Sequence, residues 1–446
     1  MTKSGTAGGR TVLDMNRYQW TVLFAAWLGW GFDVFDGLLF SFVAPNCVPT
    51  LLGLPIGSPA AKAATLHWGG ILTSMLLLGW SAGGILFGRI ADRIGRKRTL
   101  LLTMLLYSLG TAACAGATNI WMLMAFRVVA SLGIGGEWAA GAAMVAEVVP
   151  DKRRVEAGAL LYTSAPMGLF LATFANSQIA GVFLRGTPET SWRFVFLCGL
   201  IPAAVAFVVR AFVREPERWN QAAAAGAHPR IAELFTPAHR RATLGGFAMA
   251  VVALITWWSV NAFITIVASG LARETAAASG LGPDATSTLI KSWVDRANNF
   301  FNAGGLIGTL LTIPAAKVMG RRPMFGIYYA LSAVAVMTAF GLDHPPATRL
   351  YMYFFIGLTV FGVFGSFTYY LPELFPTRLR GTGAGFCYNV GRIVASAGPF
   401  LVGTVSARGQ DALATALQLL FYVGLVPLLG VVLAPFAVET KDRQLA

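Results

Sequence analysis

Twelve apolar blocks, each 18 to 30 residues long, follow one another along this 446-residue chain and fix its solvent. A helix rises about 1.5 Å per residue, so about 20 such residues cross the roughly 30 Å hydrocarbon core of a bilayer. The blocks run from Tyr18 to Cys47, Trp68 to Ala91, Leu100 to Ala117, Ile120 to Val149, Gly158 to Leu184 and Trp192 to Val213 in the first half. In the second they run from Leu244 to Leu271, Ser292 to Met319, Met324 to Gly341, Leu350 to Leu371, Gly381 to Ser406 and Leu413 to Val438. Prolines inside them, such as Pro166, Pro202, Pro314, Pro399 and Pro427, are tolerated where neighbouring groups satisfy the freed backbone. The expectation is an all-α membrane protein of twelve transmembrane helices, several of them bent.

The formal charge of +14 raises the question of a nucleic-acid partner, and its distribution answers it. With the N-terminus inside, 24 of the 34 basic residues fall on inner segments and eight on outer ones, the bias of the positive-inside rule. That predicts a multi-pass cell-membrane protein, in the bacterial inner membrane, with both termini cytoplasmic and no nucleic-acid partner. Four cysteines, Cys47, Cys114, Cys198 and Cys387, lack metal-ligand spacing and read as small core residues. Residues 1–17 carry no cleavable signal pattern, so the first span serves as the targeting signal.

The longest polar stretch, 213–241, divides six spans from six, and the halves repeat. A shift of 226 residues lays Glu147 on Glu373, Pro150 on Pro376, Arg154 on Arg380 and Tyr162 on Tyr388; a shift of 225 lays Gly95–Lys97 on Gly320–Arg322. An even number of spans per half makes the repeats parallel, an arrangement that puts a ligand site at their interface near the midplane. The expected organisation is a tail (1–17), an N-terminal six-helix bundle (18–213), a cytoplasmic linker (214–240), a C-terminal six-helix bundle (241–438) and a tail (439–446).

The turn "GRIADRIGRK" carries Gly88, Asp92, Arg93, Gly95, Arg96 and Lys97. It resembles the G-x-x-x-D-R-x-G-R-[KR] signature of the major facilitator superfamily. Segments 127–154, 192–219 and 372–392 are similar to its metabolite:H+ symporters, the sialate/carboxylate and aromatic-acid branches above all, and the D-x-x-D of span one is similar to a motif of the latter. The resemblance implies two pseudo-symmetric bundles that rock about a central cavity lined by spans one, four, seven and ten. It also implies that Asp92 caps a neighbouring helix and latches the outward-open state. In the second half Lys317 stands where that Asp would be.

Ionisable residues at bilayer depth cost several kcal/mol unless they face water or one another, so they are functional candidates. Asp33 and Asp36, three apart on span one, are expected on one helix face, toward the cavity. Arg127 on span four lies at a depth comparable with Asp36 and is expected to pair with either carboxylate. Asp33 and Asp36 read as proton carriers and Arg127 as a substrate-binding residue that leaves its carboxylate to hold the anion with Arg392; the alternative is a fixed salt bridge that sets packing. Glu137, among glycines, reads as a second proton site or as a buried acid bonded to a neighbouring helix. Glu147 with Arg154 and Glu373 with Arg380, at inner ends, read as gates. Arg392, about 17 Å into span eleven with Tyr388 and Asn389 one turn before it, suits bidentate recognition of a carboxylate or pairs with an acidic residue of a neighbouring helix. Trp257, Trp258 and Asn261, Asn299 and Asn302, and Tyr369 with Tyr370 complete the candidate pocket. The tryptophans lie too deep for an interfacial belt.

Enzyme motifs fail on context. "GWSAG", Gly79 to Gly83, fits a nucleophile elbow but lies inside a span, with its small residues better read as helix contacts. No Walker loop, H-E-x-x-H or paired-cysteine site occurs, so no cofactor or metal is expected. The expectation is a secondary transporter, monomeric, moving a small organic anion (monocarboxylate, sialate-like or aromatic acid) with protons by alternating access. The alternative is a proton-coupled exporter or a sugar or drug transporter of the same superfamily. The second half places Ser259 opposite Asp33 and Ala262 opposite Asp36, which assigns proton handling to the first half.

Overall fold

The computed structural model describes residues 15–56, 58–184, 186–201, 204–205, 208, 230–408 and 412–441, and it contains no strand among them. The expected linker at 214–229 and most of both tails lie outside the described residues. Nine described segments have the length and apolarity of a membrane span.

The first half comprises α1 (Arg17–Leu52), α2 (Pro59–Ile94), α3 (Arg96–Ala115), α4 (Ile120–Val148), α5 (Arg154–Tyr162), α6 (Ser164–Gln178) and α7 (Pro188–Cys198). The second comprises α8 (Arg240–Asn261), α9 (Ile264–Ala278), α10 (Pro283–Met319), α11 (Arg321–Gly341), α12 (Pro346–Ile356), α13 (Phe364–Glu373), α14 (Arg380–Ala395), α15 (Ala397–Arg408), α16 (Ala412–Val423) and α17 (Val426–Leu433).

Local chemistry sets the boundaries. Asn16 opens α1 with a capping box: its side chain accepts the Gln19 N–H, and Gln19 accepts the Asn16 N–H in return. Asn119 caps α4 by accepting from Met122. Single apolar blocks become two helices where the chain bends, as between α5 and α6, where Pro166 lacks the N–H that would close the turn onto Tyr162. The block expected from Ser292 begins as a helix at Pro283, because Gly282 and Pro283 supply a stop and a first-turn residue ahead of it. Gly95 (φ 111°) and Gly320 (φ 90°) make the same sharp turn in each half, a backbone conformation that strains any residue with a Cβ.

Gln19 donates to the Val148 carbonyl, and Thr440 donates to Glu373, so both ends of the described chain lie at the end of the molecule that carries Arg96, Arg154, Arg321 and Arg380. We call it the basic end. The halves meet along α2 with α14 and α5 with α13, where glycines allow close approach. A Cβ at Gly84 would stand 2.0 Å from Asn389 Nδ2, and one at Gly158 would stand 3.0 Å from the Tyr369 Cβ.

Candidate functional site

Arg392 lies twelve residues along α14 from Arg380, hence about 18 Å from the basic end. It is buried, and its Nη1 donates to Asn389 Oδ1 at 2.8 Å, while Asn389 Nδ2 is tied to the Gly385 carbonyl at 2.8 Å. The guanidinium lies 4.2 Å from the ring centre of Trp80, across the interface on α2, and 4.5 Å from that of Tyr388. Cation–π attraction of this kind gains when both partners are desolvated. Arg392 also donates to the Tyr388 hydroxyl, which shares a hydrogen bond with Tyr162 of the other half. Asp33 lies within electrostatic reach of the same guanidinium. The antiparallel contact of Gly84 with Asn389 sets this register: one turn onward it brings Trp80 to Arg392.

Rings from both halves surround the pair. Trp80 meets Trp258 edge-on at 5.9 Å, Trp258 meets Trp257 at 4.7 Å, and Trp257 packs on Phe361 and Phe364 at 5.6 and 6.1 Å. Tyr162 stacks on Phe364 at 6.0 Å and meets Trp30 at 4.9 Å. Sequence reasoning found Trp257, Tyr388, Asn389 and Arg392 but missed Trp80, Trp30, Tyr162, Phe361 and Phe364. The signal for Trp80 was present: twelve residues into its block, it is as deep as the tryptophans of the seventh block.

Other predicted pocket residues lie elsewhere. Asn261 is half-buried at the end of α8, and Asn302 is buried beside Phe301, which stacks on Phe361. Asn299 is exposed, five helical turns from Lys317 on the same face of α10. Tyr369 does not join the aromatic wall: its hydroxyl reaches Met324 Sδ and its ring lies under Arg321, toward the basic end. Tyr370 packs on Phe325 inside the second half.

Asp33 and Asp36 part company, against the expectation of a shared face. Three residues are 300° of helix, so the two side chains diverge by about 60°, enough on a helix buried all round to separate them. Asp33 looks across to the second half; Asp36 points into the first half, where its Oδ1 would stand 2.4 Å from a Cβ at Gly199. Arg127 sits beside Asp36, yet it donates to the backbone carbonyls of Asp36 (3.3 Å) and Gly37 (2.8 Å) rather than to a carboxylate. The Asp36 carboxylate accepts no hydrogen bond among the described residues. Glu137 faces α3 and accepts from Thr103 at 3.2 Å, also within the first half.

At the basic end the expected ion pairs form with their partners exchanged. Glu147 binds Arg96 of its own half at 3.0 Å and Arg380 of the other at 3.4 Å. Glu373 binds Arg321 of its own half at 2.8 Å and Arg154 of the other at 3.7 Å. The repeat is obeyed, since Arg96 matches Arg321 and Arg154 matches Arg380, but each arginine of the second set reaches across. Lys317 bonds Glu156 of the first half.

A sequence model of the Major Facilitator Superfamily matches residues 20–399. The chain belongs to the major facilitator superfamily. As a member it is a multi-pass membrane transporter and not an enzyme. It is 28% identical over 418 residues to a putative metabolite transport protein of Haemophilus influenzae, covering 92% of this chain and 94% of that one. It is 28% identical over 406 residues to the gentisate transporter of Corynebacterium glutamicum, covering 90% and 84%. Its fold matches the proton:xylose symporter XylE of E. coli bound to 6-bromo-6-deoxy-D-glucose with a TM-score of 0.73 at 17% identity, over 96% and 98% of the two chains.

The superfamily signature occupies the α2–α3 turn. Gly88 is buried on α2, Gly95 makes the turn, and Arg96 is buried against Glu147, with Arg93 exposed and Lys97 half-buried. The Asp92 side chain lies outside what is described. The small residues of "GWSAG" are helix contacts: a Cβ at Gly83 would stand 2.0 Å from the Leu132 carbonyl on α4.

Proposed function

We propose that this superfamily member is a proton-coupled symporter of a small organic anion, an aromatic or other monocarboxylate. The observation that carries the reading is Arg392: a cation at mid-bilayer depth, between the halves, walled by aromatic rings from both. Such a group is costly in apolar surroundings unless its charge is used, and its planar fork matches a carboxylate. The flat rings suit a flat or apolar body, and the gentisate transporter among the relatives handles an aromatic carboxylate.

In this reading twelve helices form two six-helix bundles, with both termini in the cytoplasm of a bacterial inner membrane, and the monomer rocks them in alternation. Substrate binds at Arg392 with Tyr388, Asn389 and Trp257 around it. Asp33 competes for Arg392 until the anion replaces it. Asp36 carries the coupled proton: neutralising it relieves its attraction for Arg127, whose grip on the carbonyls of α1 ties α4 to α1. The basic end, closed by the crossed ion pairs, is the inner gate.

Uptake of benzoate or gentisate into proteoliposomes tests this. An inward proton gradient is expected to drive accumulation, and Asp36→Asn to bind the anion yet fail to concentrate it. Uptake indifferent to the gradient, with Asp36→Asn fully active, would sink the proposal.

A further inference from the structure

We propose that Trp80 is itself a ligand of the transported anion. Its indole N–H and the Nε–H of Arg392 act as a two-donor clamp on one carboxylate, an assignment that rests on the organic-anion reading above. Both groups are buried, and neither N–H meets an acceptor among the described residues. They belong to one stacked pair, with the guanidinium 4.2 Å above the ring. Arg392 has other bonds already: Nη1 serves Asn389 and the Tyr388 hydroxyl takes another. An indole nitrogen can only donate.

Trp80 is held by packing. It is buried, a Cβ at Gly37 would stand in contact with its ring at 3.6 Å, and Trp258 meets it in a T-shaped arrangement at 5.9 Å. Packing alone would be served by any flat ring at this position. The nitrogen adds a donor beside the cation that the second half supplies, Arg392, so the clamp completes a carboxylate site that spans both halves. A second negative charge is disfavoured there, because Asp33 on α1 lies within electrostatic reach of the same guanidinium. A second carboxylate on the substrate would meet another anion.

Calorimetric titration of the full-length protein in lipid nanodiscs tests the clamp, with benzoate, its neutral isostere benzamide, and the dianion phthalate as probes. The wild type is expected to bind benzoate at least tenfold more tightly than either of the others. Trp80→Phe, which keeps a ring without the donor, is expected to weaken benzoate tenfold or more and benzamide, whose neutral carbonyl is the weaker acceptor, by a clearly smaller factor. Trp80→His, which keeps an N–H on a smaller ring, should recover part of the loss. If the Phe variant fails to fold, Trp80→Met supplies a second donor-free side chain. Benzoate binding by a folded donor-free variant at wild-type strength overturns the clamp alone, leaving the nitrogen with a packing role. A wild type that prefers benzamide, or binds none of the three, overturns the anion reading and the clamp together, and that failure is visible before any variant is made.

Discussion

At the scale of single residues, the chemistry of Arg392 is not interchangeable with that of lysine. A lysine keeps the charge but offers no flat face to Trp80 and Tyr388 and no fork to a carboxylate. Arg392→Lys is therefore expected to weaken benzoate binding more than tenfold in calorimetry while leaving the protein folded. Glu137 predicts the opposite: it is bonded to Thr103 inside one half, so Glu137→Gln, which keeps an acceptor for that hydroxyl, should retain proton-driven uptake within about twofold. Charged residues were legible in the sequence because the bilayer makes each one conspicuous. Their partners were not. Asp33 and Asp36 share a stretch of helix, but the neighbours that decide their roles, Arg392 and Arg127, come from blocks whose rotation about their axes no sequence pattern fixes when the helix is apolar all round. Trp80 was overlooked for a related reason: a ring among apolar residues carries no charge to mark it.

At the scale of elements, the last described residues act on a helix far from them in sequence. Glu439 accepts the backbone N–H groups of Arg321 and Arg322 at 3.0 and 3.1 Å and so caps α11, whose start follows Gly320. Burial alone would raise the pKa of this carboxyl, but the N–H groups of Arg321, Arg322 and Lys441 and the charge of Arg321 outweigh it and hold the value below the usual 4.5. A depressed folded value means that the cap contributes fully above pH 4.5 and is lost as pH falls below it, through the folded value. Thermal unfolding of the wild type should therefore lose stability below that pH by a component that Glu439→Gln lacks. At pH 7 the variant should be less stable by about 1 kcal/mol, the usual worth of a cap. The existence of most helices could be read from apolar length, and the Gly95 and Gly320 turns from the repeat. The breaks within blocks at Thr163 and Ser396 each precede a proline, Pro166 and Pro399, that the sequence shows, while the packing that sets how far the chain bends there is not written in composition.

Across the whole molecule, the repeat marked charges that meet at the basic end, and only the assembled halves show how they are paired. Each acid holds one arginine from its own half and one from the other, so in the proposed rocking motion an opening of the basic end would break Glu147–Arg380 and Glu373–Arg154 together while Glu147–Arg96 and Glu373–Arg321 survive. Replacing both acids, Glu147→Gln with Glu373→Gln, should raise deuterium uptake severalfold in the gate ends of α5 and α13, with little change in helices remote from them. Replacing Glu147 alone, which leaves Glu373–Arg154 in place, should give a smaller rise. The same crossing bears on how the protein is made. The first half leaves the ribosome with Arg154 held only by Asp151 of its own half at 2.9 Å, and Glu373 follows Arg154 only after a further 219 residues, roughly 10 to 45 s at ordinary rates of synthesis. Until then the newborn half presents a charge meant for a partner not yet translated, which marks an unfinished chain for as long as it stays unfinished.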